Sequence, residues 1–105
     1  MIAKTPKPPY YAVIFTTLMT DDLTEYEATA QRMEALAEQQ EGYLGIESAR
    51  SGIGITVSYW SSLEAIKRWK MQAEHTAARD RGRAQWYDQY ELRICKVEHA
   101  YGFKK

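Results

Sequence analysis

Asparagine is absent from this 105-residue chain, cysteine occurs once, and all three prolines fall within the first nine residues. No site here can use an asparagine carboxamide as a paired donor and acceptor. The single Cys95 excludes an internal disulfide and any cysteine-based metal cluster, and it fits a reducing cytosol. Net charge is also missing: 14 Lys and Arg balance 14 Asp and Glu. The chain therefore lacks the surplus that phosphate neutralisation requires, and nucleic acid is a poor partner. No apolar run approaches the roughly 18 residues of a membrane span. Met1 to Pro9 carries Lys4 and Lys7 but no apolar core of a secretory signal, and reads as a disordered or extended lead-in.

What is present is one domain's worth of ordinary globular sequence, with 45% hydrophobic and 27% charged residues. Residues 10–105 form that domain. A chain of this size buries about 65% of its unfolded surface, which makes one modest core.

Tyr10 to Leu18, YYAVIFTTL, is aromatic and β-branched and reads as a strand. Neither alternating face carries a charge, which predicts cover on both sides. Asp21 and Asp22 offer N-caps, Glu25 completes a capping box with Asp22, and Leu23 to Gln40 shows a helical stripe through Tyr26, Ala30, Met33, Leu36 and Ala37. Gly42 stands where a C-cap glycine belongs. Tyr43 to Ala49 and Ile53 to Trp60 read as a hairpin around Arg50-Ser51-Gly52. Ser61 and Glu64 form a second capping box before a helix with Leu63, Ile66 and Trp69 on one side. Helical character continues from Gln72 towards Arg83, with Gly82 as an interruption. The closing strand runs from about Tyr87 to Tyr101, and its apolar parity changes between Ile94 and Val97, which predicts a bulge near Cys95 or Lys96.

The order β-α-β-β-α-β predicts an α+β, ferredoxin-like fold. Two helices cover only one face of such a sheet, yet the strands are apolar on both. Pairing two sheets into a closed dimeric αβ barrel would hide the second face, so a homodimer is expected.

The densest chemical segment is Tyr59 to Arg83. His75 and Arg79 are four apart and share a helix face if the helix is continuous. With Trp69 they would form a cleft in which a neutral histidine moves protons and an arginine orients an oxyanion. The same spacing also fits Trp69 in the core and both polar groups on a solvated face. Trp60, beside Thr56 and Ser58, either walls a pocket for a flat ligand or fills a dimer seam. Trp86 and Tyr87 read as core, His99 as a surface or interface residue, and Cys95 as inert packing. IGITVSYW lacks the basic residues of an RNA-reading strand, and no phosphate loop, nucleophile elbow or zinc motif occurs.

Four segments, QEGYLGIESAR, GITVSYWSSLEAIKRWK, AEHTAARDRGRAQWY and VEHAYGF, carry a family pattern. Between Tyr10 and Phe103 the chain resembles the antibiotic biosynthesis monooxygenase family, in particular its small stand-alone bacterial members. The resemblance implies a dimeric αβ barrel. It also implies one of two chemistries: oxygenation of aromatic phenols to quinones without metal or flavin, or haem degradation. The haem-degrading members use an Asn on the first strand, a Trp on the second helix and an iron-ligating His about ten residues on. Trp69 matches that Trp, Arg79 stands where the His is expected, and His75 comes one turn early. The Asn has no counterpart, and Thr16 or Thr17 occupies its place. The expectation is thus a cytoplasmic, cofactor-free oxidation of a small planar aromatic or quinol. Trp60, Trp69 and Thr17 would line the site, with His75 and Arg79 as its polar groups; no metal is expected, and haem would require a shifted geometry. The alternative is a small-molecule binder or stress-related accessory protein with the same fold and no catalysis.

Overall fold

The computed structural model describes residues 1–105. Four strands, β1 (Tyr10–Met19), β2 (Tyr43–Ser51), β3 (Ile53–Trp60) and β4 (Tyr87–Val97), form one sheet in the order β2-β3-β1-β4. All neighbouring pairs are antiparallel. Three helices complete it: α1 (Tyr26–Glu38), α2 (Leu63–Met71) and α3 (Ala73–Arg81). A single π turn at Gly82–Trp86 leads into β4. This is the ferredoxin-like α+β arrangement that the strand and helix order predicts. No helix is long and apolar enough to cross a membrane.

The element bounds differ from the sequence expectation where local chemistry intervenes. The capping box of Asp22 and Glu25 does not form. Asp22 instead accepts from the Thr24 amide at 3.2 Å, an Asx turn, and Glu25 sits at φ 63°, so α1 starts at Tyr26. Gly42 is not a helix cap: α1 ends at Glu38, and Gly42 (φ 89°) makes the turn into β2. A Cβ there would lie 2.5 Å from that of Ala65, so this turn packs directly on α2. Ser62, not Ser61, caps α2, its Oγ accepting from the Ala65 amide at 3.1 Å. The second helix breaks at Gln72 rather than Gly82. Gln72 is extended (φ −63°, ψ 133°), and its side chain accepts from the His75 amide at 2.9 Å, capping α3.

The bulge also lies elsewhere. Leu18 pairs with Gln89 but Met19 with Tyr87, which leaves Asp88 as the extra residue. That bulge brings Tyr87 and Tyr90 to the same side of the sheet, their rings 5.7 Å apart, although their spacing of three would otherwise oppose them. β4 itself ends at Val97. The apolar parity changes there because Val97, paired with Tyr10, faces the side away from the helices.

The register assigns the two faces. The helix side carries Trp60, Ser58, Thr56 and Gly54 from β3, Tyr11, Val13, Phe15 and Thr17 from β1, and Leu92 and Ile94 from β4. Trp60, Ala37, Ala65 and Ile66 make the core, with Tyr11, Val13, Tyr43 and Trp69 packed against it. The far side carries Leu18, Ile53 and Ile55, which remain 41%, 52% and 44% exposed. Cys95 shares that side and is exposed, which corrects its expected place in packing. The lead-in is tied down at one end of the far side. The Ala3 amide donates to Glu47 at 2.9 Å, and the Thr5 hydroxyl donates to Tyr10 at 2.9 Å.

Candidate functional site

Trp60 is completely buried at the end of β3, and its indole N–H donates to Ser58 Oγ at 2.9 Å. Tyr43 meets it edge-on, with ring centroids 5.6 Å apart. Trp69, on the last turn of α2, lies nearly parallel to Trp60 at 6.1 Å. His75 lies on the other side of Trp69, its ring stacked at 4.3 Å and 10°. The three rings form a continuous stack from the core outward. The break at Gln72 builds it, because it turns α3 so that a residue six positions after Trp69 folds back over the indole.

His75 Nδ1 is 2.9 Å from the Trp69 carbonyl. A carbonyl can only accept, so the imidazole proton sits on Nδ1 and Nε2 keeps its lone pair. Burial pushes the His75 pKa below its ordinary value and the positive Arg79 pushes the same way, against the opposing hydrogen bond to Trp69. The ring is therefore neutral at physiological pH, as a proton acceptor must be.

Arg79 follows one turn later on α3. Its Nε is buried without a hydrogen-bond partner, and the nearest carboxylate, Asp80, is 3.9 Å away, beyond hydrogen-bond reach. An unpartnered buried donor on a cation is costly unless something accepts from it. The structure thus brings Trp69 and His75 together and sets Arg79 next along the same helix.

Thr17 lies at the opposite end of the helix side. It is only 2% exposed, and its hydroxyl accepts from Arg50 at 2.9 Å. Trp60 therefore backs Trp69 and His75, whereas Thr17, expected to line the same site, lies apart from them. Phe15 touches Tyr87 (5.5 Å) and Tyr90 (5.2 Å), and Tyr26 meets Trp86 at 5.3 Å, giving a second aromatic cluster. Gly82 admits the Tyr87 ring, because a Cβ there would fall 2.4 Å from it. Along β4 the helix side stays open, with Leu92 and Ile94 47% and 49% exposed.

Two of the nine depressions on the surface are lined as follows. One of about 490 Å³ is lined by Met1, Ile2, Glu34, Ile46, Glu47 and Ser48. The other, about 310 Å³, is lined by Arg83, Tyr87, Asp88, Gln89 and Tyr90, at the end of the second cluster. Neither is lined by His75 or Arg79. No three His, Cys, Asp or Glu side chains group as a metal site requires.

The sequence reads Tyr87 as core, and nothing in it sets Arg50 or Tyr90 on the helix side. The place of Arg50 next to Ser51-Gly52 reads as a turn, but β2 runs to Ser51 and the β2-β3 register turns Arg50 to the helix side.

Residues 9–81 match the family described as antibiotic biosynthesis monooxygenase. The uncharacterized protein YqjZ of Bacillus subtilis is 50% identical over 99 residues, covering 92% of this chain and 87% of YqjZ. Among solved structures, SnoaB from Streptomyces nogalater, a cofactor-independent oxygenase, superposes with a TM-score of 0.75 at 14% identity, over 89% of this chain and 97% of SnoaB. Rv0793 from Mycobacterium tuberculosis superposes with a TM-score of 0.78 at 12% identity, over 89% of this chain and 99% of that one.

Proposed function

The chain belongs to the antibiotic biosynthesis monooxygenase family, and on that premise we propose that it oxidises a small planar phenol or quinol with dioxygen and no cofactor. The observation that carries this reading is the neutral His75 held by stacking and one hydrogen bond, with the unpartnered Arg79 Nε one turn away. His75 Nε2 accepts the phenol proton, and Arg79 stabilises the phenolate, the electron-rich form that reacts with dioxygen. One oxygen atom enters the ring and the other leaves as water. The phenol supplies all four electrons in becoming a quinone, so no added reductant is needed. Trp69, stacked between Trp60 and His75, holds the imidazole in place, and the open side above Leu92 and Ile94 gives the substrate ring entry. The resemblance to SnoaB in fold supports the cofactor-free form of the reaction.

A second copy of the chain covers the far side of the sheet in this reading, because Leu18, Ile53 and Ile55 stay about half exposed there. A free, exposed Cys95 suits the reducing cytoplasm.

Oxygen uptake over a panel of phenols and hydroquinones tests the activity. The expected result is uptake above the buffer rate for at least one compound, lowered about a hundredfold in His75→Ala. No uptake above buffer for any compound overturns it. A second reading, a binding protein without turnover, is favoured by the absence of any asparagine and by an arginine, Arg79, standing ten residues after Trp69 where the haem-degrading members have a histidine. Ligand binding unchanged by His75→Ala, with no oxygen consumed, would establish that alternative.

A further inference from the structure

We propose that Gln72 is a positioning residue for His75: it holds the imidazole against the Trp69 carbonyl, so that the ring proton stays on Nδ1 and Nε2 is left to accept one. The catalytic consequence rests on the oxygenase reading above; the geometry does not. A helix leaves its last carbonyls without partners, and in an unbroken helix the Trp69 carbonyl would accept from the Ala73 amide. Here the chain is extended at Gln72, and that carbonyl accepts instead from the Gln72 amide at 3.1 Å and from His75 Nδ1 at 2.9 Å. The imidazole thus takes a bond that a continuous helix would have spent on its own backbone.

Gln72 also fixes the other side of the same junction. Its side-chain oxygen accepts from the His75 amide at 2.9 Å, and its carbonyl accepts from the Thr76 amide at 2.9 Å. One residue therefore ties the start of α3 to the end of α2 through its amide, its side chain and its carbonyl. With the backbone held so, the His75 ring lies on the Trp69 indole and within reach of that residue's own carbonyl. In a continuous helix six residues turn about 240° round the axis, which would carry the imidazole off the indole. The state of one ring nitrogen is set by the bond the other makes, and a carbonyl only accepts, so this contact fixes the tautomer. An unrestrained neutral histidine prefers the other form, with its proton on Nε2. Among the charged groups, Arg79 on α3 acts on the ring, and Glu74 is tied to Arg32 of α1. Trp69 on α2 and Trp60 on β3 bring no charge to it.

Long-range proton–nitrogen correlation spectra of the imidazole rings in the intact protein test this, with the exposed His99 as internal reference. In the wild type at alkaline pH, His75 is expected with its proton on Nδ1 and His99 with its proton on Nε2. His75 should also titrate at the lower pH of the two. Gln72→Ala removes the side-chain cap and should move His75 towards the Nε2–H form, with a titration near that of His99. Gln72→Asn, a favoured cap, should restore the Nδ1–H form. Circular dichroism checks that each variant is folded. A wild-type His75 protonated on Nε2, or one that stays protonated on Nδ1 in Gln72→Ala, overturns the proposal. So does a Gln72→Asn ring that behaves as in Gln72→Ala. If the tautomers shift as expected but no panel phenol consumes oxygen, the oxygenase reading fails and the positioning role stands. If oxygen is consumed, Gln72→Ala should lower kcat about tenfold, keep KM within about twofold and move the acid limb of kcat/KM to higher pH. Oxygen consumption with an unchanged kcat and pH profile in Gln72→Ala overturns the positioning role and leaves the oxygenase reading standing.

Discussion

The two faces of the sheet start from similar chemistry and end differently. On the helix side, Trp60, Val13 and Phe15 meet α1 and α2, the π turn and further aromatic rings, and the face becomes a core at one end and an aromatic cluster at the other. On the far side, Ile53, Ile55 and Leu18 stay about half exposed, and the Tyr10–Tyr59 end is closed by residues 1–9. There Tyr59 donates to Glu47 at 2.6 Å, and burial together with this bond raises its phenol pKa to about 12. The difference teaches that a chain of this length can roof one face of a four-stranded sheet but not both.

Substitutions on each face sharpen that contrast. Trp60→Ala removes one of the two largest fully buried side chains and should cost about 3–5 kcal/mol, read as a lower urea midpoint. A cost as small as that of a far-face substitution would break the comparison. Ile55→Arg places a charge on the far face. It should leave the circular dichroism spectrum unchanged and shift sedimentation from a dimer to a single chain. A chain that sediments identically before and after the change has no second copy on that face.

The His75 effect is smaller and depends on pH. Its pKa is lowered in the folded state, so between the unfolded value of about 6.5 and the lower folded value the unfolded chain binds more protons. Stability should therefore fall as pH drops below about 6.5. His75→Gln, which keeps a donor for the Trp69 carbonyl without titrating, should flatten that part of the melting-temperature profile. An unaltered profile would show that the ring is not held neutral by burial. The smallest effect is expected at the paired bonds from Arg32 on α1 to Glu74 on α3, both 2.9 Å and both exposed. Arg32→Ala should leave the melting temperature within error, because solvent screens such pairs.

The strands and their order were legible because period-two apolar patterns survive without knowledge of the partners. Helix ends were less so. Glu25 adopts a left-handed conformation that its residue type does not announce, and Gln72 caps α3 although glutamine is not a usual cap. Of the candidate site, the proximity of His75 to Trp69 could be suspected, but not its cause. A continuous helix would have carried His75 around the axis, whereas the break stacks it on the indole. Arg50 was invisible because only register places it beside Thr17, residues 33 apart in the chain.

By itself, then, the sequence determined the alternation of strands and helices, the two apolar faces and the lack of any asparagine for a haem-degrading constellation, since composition and local periodicity are properties of neighbours in the chain. The tertiary structure alone decided which face Trp60 entered, where Asp88 bulged, and that Arg50 would cross Gly54 to reach Thr17. Those depend on register and on which element packs over which, and both are settled by contacts between residues far apart in the chain.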